Sequence, residues 1–501
     1  MDKLAVVYTR AGQSLAAPRV SVEVHLSNGL PSFSIVGLPE AAVRESKERV
    51  RSALINSHFE FFNRRITVSL APANLPKSGG RYDLPIALGI LIASSQIKQT
   101  LDLSDLEFYG ELALNGELRS TEGLLPAMIQ GAADHKILVV PKENTPAAGL
   151  IEGISLIGCT SLLQVAAFVS GEQAYQLETF HAAPVHQTYD KDFSQVKGQH
   201  QAKRAFEIAA CGRHNVLMMG PPGGGKTMLS ERLPSILPPL TRTQVLEKAS
   251  IFSISGRPLK SSAWYQRPFI TPHHSASAVS LVGGGTHPKP GAISLAHHGV
   301  LFLDELPEFP RHVLEMLRQP LETKEIHLSR AADQTTYPAN FQLVAAMNPC
   351  PCGYLGDSSH RCNCSSEQIQ RYRGRISGPL LDRMDILLNV EALKTEHLLE
   401  QHSGAETSAE IRMRVIKAMN RQWVRQGKTN AELGSDEVLR LTDLTPVNKA
   451  LLEKAINAFK LSARAYFKIL KVARSIADLA QSDTVSRAHL SEAIGYRRIA
   501  L

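Results

Sequence analysis

A glycine-rich stretch between an apolar strand and a helix carries the strongest chemical signal in this chain of 501 residues. The pattern predicts a buried strand over Val216–Met219 and a helix over 228–233. Between them, the pattern G-x-x-x-x-G-K-T is formed by Gly220, Pro221, Pro222, Gly223, Gly224, Gly225, Lys226 and Thr227. Glycines leave no Cβ in the way, so backbone N–H groups of such a loop can converge on phosphate oxygens. We predict that Lys226 reaches the β- and γ-phosphates of ATP and that Thr227 ligates Mg²⁺.

Polar residues also follow two further apolar strands. Val300–Leu303 is followed directly by Asp304 and Glu305, and a strand over 341–347 ends at Asn348. An acid at the carboxyl end of a parallel strand faces the ligand crevice. We predict that Asp304 holds Mg²⁺ through water and that Glu305 is the general base for the attacking water. Asn348 either orients that water beside the γ-phosphate or only caps a turn.

Four of the six cysteines lie close together with the spacing C-x-C-x₉-C-x-C. They are Cys350, Cys352, Cys362 and Cys364. Four thiolates in one loop are candidate ligands of a structural Zn²⁺, and His360 could replace one of them. The alternative is a loop of reduced cysteines without a metal. Either reading argues against a secreted disulfide framework.

Composition places the chain among globular proteins, with 43% hydrophobic and 20% charged residues and length for about three domains. The formal net charge is +8 because residues 191–501 carry +12 and residues 1–190 carry −4, and the basic part suits a polyanionic partner. The N-terminus has no signal-peptide core, and the longest apolar run, 84–93, is far below the roughly 20 residues that span a bilayer. We therefore predict a cytoplasmic protein without a membrane contact.

Secondary-structure patterns divide the chain into four regions. Residues 1–170 mix strands over 21–26, 33–37, 65–70 and 137–140 with helices over 39–57 and 84–94. Residues 171–190 are polar and aperiodic, which is typical of a linker. Residues 191–394 contain the motifs described above, and 395–501 have helical periodicity. The expected fold class is α/β with a C-terminal helical lid.

The three strand-end motifs together resemble an AAA+ ATPase. The stretches 267–309 and 347–386 are similar to its magnesium-chelatase-like branch, and the whole chain resembles the ComM/YifB family of bacterial ATPases. The resemblance implies a P-loop AAA+ core with a parallel sheet and a hexameric ring with ATP sites between subunits. It also implies that Arg383 is the arginine finger for the neighbour's nucleotide and that Arg464 is the sensor-2 residue of the lid, with Arg474 as a weaker candidate. The alternative for these arginines is a solvated surface.

The first region resembles the Lon-protease-type domain over 76–91 and 110–144. That fold hydrolyses peptides with a serine activated by a lysine, and the two positions fall here on Arg81 and Ala127. We therefore expect a degenerate, non-proteolytic domain reused for assembly or DNA contact. Its basic face, or a set of salt bridges, could come from Arg64, Arg65 and Arg81.

The family resemblance implies a motor on single-stranded or branched DNA, with helicase or branch-migration activity on recombination intermediates during natural transformation. Insertions at 250–290 and 324–340 would project into the pore of the ring. Between Thr241 and Val300, six Lys/Arg and one acid form either a strip that grips a phosphate backbone or a solvated basic loop. The alternative function is that of a magnesium-chelatase-like or protein-remodelling ATPase.

Overall fold

The computed structural model describes residues 4–12, 14–174, 177–178, 189–285, 288–330, 333–356, 362–391 and 405–497. His360 and most of the predicted linker 171–190 lie outside these ranges. The described elements form an N-terminal α/β unit, a central parallel sheet with helices, and a C-terminal group of helices.

The N-terminal unit contains two larger sheets and one antiparallel pair of two-residue strands. Its strands are β1 (Leu4–Arg10), β2 (Arg19–Ser27), β3 (Ser32–Val36), β4 (Arg65–Ala71), β5 (Leu106–Phe108), β6 (Glu111–Leu112), β7 (Leu118–Arg119), β8 (Ile137–Pro141) and β9 (Ser155–Cys159). Its helices are α1 (Ala41–Asn56), α2 (Asp83–Ala93), α3 (Leu125–Ala133) and α4 (Leu162–Val169). One sheet has the order β1-β2-β4-β3 and is parallel only between β3 and β4, whereas the sheet β5-β8-β9 is parallel throughout. The six elements predicted in this region are confirmed to within two residues at each end.

The central part is built on five parallel strands. Its strands are β10 (Val216–Met219), β11 (Phe269–Ile270), β12 (Gly283–Gly284), β13 (Lys289–Pro290), β14 (Val300–Leu303), β15 (Glu325–Arg330), β16 (Asp333–Pro338), β17 (Gln342–Met347) and β18 (Ile386–Asn389). Its helices are α5 (His200–Gly212), α6 (Lys226–Ile236), α7 (Arg242–Ile254), α8 (Ala278–Val282), α9 (Ala292–Leu295), α10 (Arg311–Glu315), α11 (Arg318–Thr323), α12 (Ser366–Arg373) and α13 (Gly378–Leu381). The sheet order is β11-β14-β17-β10-β18, and β12-β13 and β15-β16 are separate antiparallel hairpins.

The register of this sheet explains how distant motifs meet. Strands β10, β14 and β17 are buried along their whole length, as expected of apolar strands covered on both faces. Met219 pairs with Met347, and Leu303 pairs with Ala345. The carboxyl ends of all three strands therefore lie at one edge of the sheet, where the three predicted motifs begin.

Five helices follow the central sheet in the described chain. They are α14 (Ser408–Gln426), α15 (Ser435–Thr442), α16 (Pro446–Phe459), α17 (Ala463–Leu479) and α18 (Arg487–Gly495). Their apolar faces share one hydrophobic cluster with β10 and α5, so this helical group packs directly on the central sheet. The ion pair of Lys468 with Asp385, at 2.6 Å, adds a polar link. Within the described ranges, no helix combines the length and apolar character needed to cross a membrane.

Candidate nucleotide-binding and catalytic site

A phosphate-sized cradle lies where residues 220–225 connect β10 to α6. Gly223 and Gly225 have φ values of 76° and 84°, in the left-handed region that favours glycine. Gly223 and Thr227 are exposed, so this face of the loop is open to a ligand. Helix α6 begins at Lys226, and the unpaired N–H groups of its first turn add partial positive charge at the same place. The local conformation therefore fits a bound phosphate.

The amine of Lys226 is held inside the cradle. Its Nζ donates to the carbonyl oxygens of Gly220 at 2.7 Å and Pro221 at 2.9 Å, and to Oδ1 of Asn348 at 3.1 Å. Burial lowers the pKa of Lys226, and the nearby carboxylates, Asp304 first, oppose this shift. The structure therefore brings Lys226 of the loop together with Asn348 at the end of β17.

Thr227 and Asp304 present oxygen atoms to the same space. Oγ1 of Thr227 donates to Oδ2 of Asp304 at 2.7 Å, and the second carboxylate oxygen of Asp304 accepts from the backbone N–H of Glu305 at 2.9 Å. A hydroxyl and a carboxylate are the hard oxygen donors that Mg²⁺ prefers. The donor set therefore fits Mg²⁺, and Thr227 and Asp304 are the residues that would hold it.

Glu305 has a special conformation and a partner that the sequence did not reveal. Its backbone is left-handed, with φ 50° and ψ 47°, and its side chain is 54% exposed. Its carboxylate Oε2 lies 3.2 Å from Nδ1 of His274, which follows β11 at the same edge of the sheet. A histidine four residues after a two-residue strand carries no recognisable motif, so only the structure reveals this pairing.

Gln199 is a second site residue that sequence reasoning missed. Its side-chain amide donates to the carbonyl oxygens of Gly224 at 3.1 Å and Glu391 at 2.8 Å. Gln199, which directly precedes α5, thereby ties the phosphate-binding loop to the segment that follows β18. The only sequence signal was a polar residue just before a helix, which is too common to be informative.

Arg383 and Arg464 lie at the opposite edge of the sheet. Asp385 N–H bonds to Asn215 O at 2.9 Å, which places the segment before β18 at the amino ends of the strands. Arg383 donates to Pro379 O at 2.6 Å and forms an ion pair with Glu322, whereas Nη1 of Arg464 lies 3.0 Å from Oδ2 of Asp382. The structure therefore brings these two arginines near each other, but not near the phosphate-binding loop of the same chain.

Arg474 is not a sensor residue, so the weaker candidate from the sequence is wrong. Its side chain is 1% exposed within α17. It donates to Oδ1 of Asp478 at 2.9 Å and to Asp483 O at 2.6 Å, and Arg425 pairs with the same Asp478. A buried arginine satisfied inside the helical group supports the packing of that group and cannot reach a nucleotide.

The four clustered cysteines come together as predicted. Their sulfur atoms all lie within 4.8 Å of one another. A second group of metal-ligand residue types, formed by Glu247, His297 and His298, is explained by hydrogen bonds instead. Nδ1 of His297 accepts from Asn340 N–H at 3.0 Å, so the neutral ring carries its proton on Nε2, which donates to Glu247 at 3.2 Å.

The predicted basic strip between Thr241 and Val300 is wrong for two of its members. Lys248 is 2% exposed, donates to the carbonyls of Ala263, Trp264 and Gln266, and has its pKa lowered by burial to about 7. Arg267 donates to three backbone carbonyls, and burial lowers its pKa to about 9.

The remaining basic residues of this stretch differ in their surroundings. Arg242 and Lys289 lie 2.8 and 4.0 Å from acids of the N-terminal unit, whereas Arg257 and Lys260 are exposed. Ala249 and Trp264 pack in one hydrophobic cluster with Met128 and Leu150 of that unit. The first part of the predicted insertion is therefore a contact between the central part and the N-terminal unit.

The N-terminal unit places Arg81 and Ala127 in its interior. Ala127 is fully buried, and Arg81, 4% exposed, donates to the carbonyls of Glu122 at 2.8 Å and Gly123 at 3.3 Å. Burial lowers the pKa of Arg81. The prediction that Arg81 contributes to an exposed basic face is therefore wrong.

The chain matches three families in sequence. Residues 192–398 match the family described as magnesium chelatase, subunit ChlI, residues 22–144 match subunit ChlI of Mg-chelatase, and residues 405–497 match the ChlI C-terminal family. Competence protein ComM of Haemophilus influenzae is 48% identical over 99% of this chain and 97% of that protein. The protein YifB of Salmonella typhimurium is 47% identical over 99% and 97%. Lon protease 2 of Bacillus subtilis is 25% identical over 32% of this chain and 33% of that protein.

A parallel sheet with a phosphate-binding loop after β10, an acidic pair after β14 and an asparagine after β17 defines a P-loop protein of the AAA+ ATPase class. The fold is α/β, with a Lon-like relationship, a magnesium-chelatase-type central part and a helical C-terminal part. With near-complete coverage at almost half identity, the chain belongs to the ComM/YifB family of magnesium-chelatase-like proteins.

Proposed function

We propose that the chain is an ATP-hydrolysing motor that assembles into a hexameric ring and acts on single-stranded or branched DNA in the cytoplasm. Its activity on DNA is helicase action or branch migration of recombination intermediates during natural transformation. One observation carries the motor part of the proposal: Lys226 and Arg383 lie at opposite edges of one sheet. The DNA part is supported by 48% identity to a protein named for competence.

The divided site requires a second subunit. Lys226 lies at the carboxyl edge of the sheet, and Arg383 lies at the amino edge, separated by the length of β18 (Ile386–Asn389). At about 3.3 Å per residue, that strand spans roughly 13 Å, too far for Arg383 to reach a phosphate on its own chain's loop. Head-to-tail rings place such unlike faces of neighbouring subunits together, so Arg383 and Arg464 act on the nucleotide of the next subunit.

Each residue of the carboxyl edge has a separate task in ATP hydrolysis. Lys226 exchanges its carbonyl and Asn348 contacts for β- and γ-phosphate oxygens. Thr227 and Asp304 would hold Mg²⁺, which would supply positive charge to stabilise the transferred phosphoryl group. Glu305 leaves His274 and accepts a proton from the attacking water, while Asn348 orients that water. ATP and Mg²⁺ are thus the cofactors of the motor, and a Zn²⁺ on the four cysteines is its structural metal.

Mixing two inactive variants tests the divided site. Arg383→Ala is expected to lower kcat on the order of 10³-fold, because the neutralising guanidinium is lost from the neighbour's phosphoryl group. Lys226→Ala keeps an intact Arg383, so an equimolar mixture regenerates complete sites at about a quarter of the interfaces of a head-to-tail ring. We therefore expect mixed oligomers to recover ATPase activity that neither variant shows alone, measured as steady-state phosphate release.

Two controls sharpen the mixing experiment. Arg371→Ala removes an exposed arginine whose partner is Glu367 on its own helix, so it should leave ATPase activity unchanged. Lys226→Ala mixed with the double variant Lys226→Ala/Arg383→Ala should show no recovery. Full activity of Arg383→Ala alone would contradict the role of Arg383 in the neighbour's site.

ATPase stimulation by DNA tests the choice of partner. We expect single-stranded and branched DNA to raise the rate of ATP hydrolysis by the full chain, and the stimulation to weaken as salt is raised, because phosphate contacts release counterions. A rate unchanged by any DNA would favour the second candidate, a magnesium-chelatase-like or protein-remodelling ATPase. That candidate rests on the three matches to magnesium-chelatase subunit families.

A further inference from the structure

We infer that the four cysteines hold a Zn²⁺ ion whose task is to brace the γ-phosphate side of the nucleotide site. The inference rests on the proposed ATP site for its second half, whereas the metal site itself stands on the cysteine geometry. The ion would keep Asn348 and the phosphate-binding loop in the arrangement that Lys226 requires. Zinc in this position would support ATP hydrolysis by holding Asn348 and the phosphate-binding loop in place. It would not contact the nucleotide itself.

The sulfur positions fit one tetrahedral ion. Cys350 Sγ lies 3.3 Å from Cys352 Sγ and 3.7 Å from Cys362 Sγ, and the Cys352–Cys362 sulfur distance is 3.6 Å. Four thiolates at the usual Zn–S length of about 2.3 Å are separated by roughly 3.8 Å in a tetrahedron. All of these sulfur distances are well beyond the roughly 2.05 Å of a disulfide, and all four cysteines are free. Four cysteine thiolates are one of the usual ligand sets of structural Zn²⁺.

The described part of the cysteine segment has no regular secondary structure to hold it in place. Residues 350–356 and 362–365 contain neither helix nor strand. Cys350 is fully buried, whereas the other three cysteines are half-buried. The metal would tie Cys350 and Cys352, next to β17, to Cys362 and Cys364, next to α12. Such a cross-link restricts the segment at both of its ends.

The same segment lies directly against the phosphate-binding loop. Gly353 has a φ of 87°, and a Cβ at this position would lie 2.7 Å from Cδ of Pro222. A loop in such close contact cannot move nearer to the phosphate-binding loop without displacing Pro222, which is part of the G-x-x-x-x-G-K-T motif. The zinc-bound conformation of the segment therefore sets the position of one wall of the phosphate cradle.

Asn348 is connected to both cysteine pairs of the proposed metal site: directly along the chain to Cys350, and through helix α12 to Cys364. It precedes Cys350 by two residues, and its Oδ1 accepts from Lys226 Nζ at 3.1 Å. The backbone of Asn348 also hydrogen-bonds the Tyr372 side chain of α12, the helix that begins just after Cys364. Zinc thus fixes the strand end that carries Asn348 and the helix that contacts it, which makes the metal a positioning element for the attacking water.

Zinc content of the full chain, purified without chelator, tests the metal site independently of activity. We expect one zinc per chain by elemental analysis. Cys362→Ser and Cys364→Ser should each lose it, Cys364→His should retain it because imidazole is also a zinc ligand, and the distant Cys159→Ala should retain it as well. Absence of stoichiometric zinc from the wild-type chain would overturn the proposed site, whatever the outcome of any DNA assay.

ATP affinity and turnover test whether zinc positions the nucleotide site. We expect zinc loss, by Cys364→Ser or by chelation of the wild-type chain, to weaken binding of a fluorescent ATP analogue about 10-fold and to lower kcat, with recovery when Zn²⁺ is returned to the chelated chain. The reversible chelation arm remains informative even where a variant folds poorly. Unchanged ATP affinity and kcat in the zinc-free protein would contradict the proposed role of zinc in positioning the nucleotide site. ATP binding and hydrolysis that are insensitive to Lys226→Ala would instead contradict the proposed motor.

Discussion

Glu305→Gln is expected to lower kcat for ATP hydrolysis by about 10²- to 10⁴-fold while the full chain still binds ATP, because an amide cannot accept the proton of the attacking water. Glutamine keeps the size of the side chain and an oxygen that can face Nδ1 of His274, which lies 3.2 Å from the carboxylate in the structure. The Mg²⁺ ligands Thr227 and Asp304 are unchanged. Single-turnover hydrolysis, measured beside equilibrium binding of a fluorescent ATP analogue, separates the lost chemistry from binding.

Glu308→Gln is the matched control for this variant. Glu308 lies in the same short turn, Leu306–Glu308, and its carboxylate pairs with Arg375 at 2.9 Å on a partly exposed surface. We expect this variant to keep normal turnover, because exposed ion pairs contribute little. A Glu305→Gln chain that hydrolyses ATP at the wild-type rate would show that Glu305 is not the base.

Lys226→Ala is expected to abolish detectable ATP hydrolysis and to weaken ATP binding on the order of 10²-fold, since it removes the charge-assisted hydrogen bonds to two phosphates. Lys226 is 8% exposed, and its amine is already positioned by Gly220, Pro221 and Asn348, so no other described side chain of the cradle can replace it. Titration of the fluorescent analogue against the wild-type and variant chains gives the loss in affinity directly.

The control for Lys226→Ala is the same substitution at a lysine that lies on the surface and outside the site. Lys454 lies exposed on α16, and Lys454→Ala should bind and hydrolyse ATP as the wild-type chain does. Thermal melting of the two variants checks that Lys226→Ala remains folded. ATP affinity preserved in Lys226→Ala would contradict the assignment of the 220–227 segment as the phosphate-binding loop.

The chemistry at the strand ends could be predicted from the sequence because it depends on local order along the chain. An apolar strand followed by glycines, or by two acids, identifies both the element and its exposed end. The parallel register that brings Met219 beside Met347 then follows from the fold class, and with it the meeting of Lys226, Asp304 and Asn348. Six elements of the N-terminal unit were predictable for the same local reason, whereas its other strands and helices α3 and α4 were not predicted.

The fate of individual charges could not be predicted in this way. Lys248 and Lys260 belong to one basic stretch, yet Lys248 is buried on three carbonyls while Lys260 is exposed. Arg464 and Arg474 lie ten positions apart on one helix, and only Arg474 points into the helical group towards Asp478. The burial of a basic side chain depends on which distant carbonyls or acids the fold supplies, and no local pattern encodes that.

Contacts made to site residues by distant segments of the chain could not be predicted from the sequence either. His274 comes to Glu305 from the end of β11, and Gln199 comes to Gly224 from the start of α5. The ion pair of Arg383 with Glu322 likewise joins the segment before β18 to α11. Each pairing requires the full tertiary arrangement, so the sequence predicted the reacting groups of the site better than the groups that hold them.

ATP-dependent strand displacement on forked, three-way and four-way DNA is the most direct test of the proposed DNA motor. We expect the wild-type chain to convert labelled branched substrates into separated strands in the presence of ATP and Mg²⁺. Lys226→Ala and Glu305→Gln should fail under the same conditions, and Glu308→Gln should match the wild-type chain. Substrates left intact by a wild-type chain that hydrolyses ATP, or displaced equally well by Lys226→Ala, would contradict an ATP-driven motor on DNA.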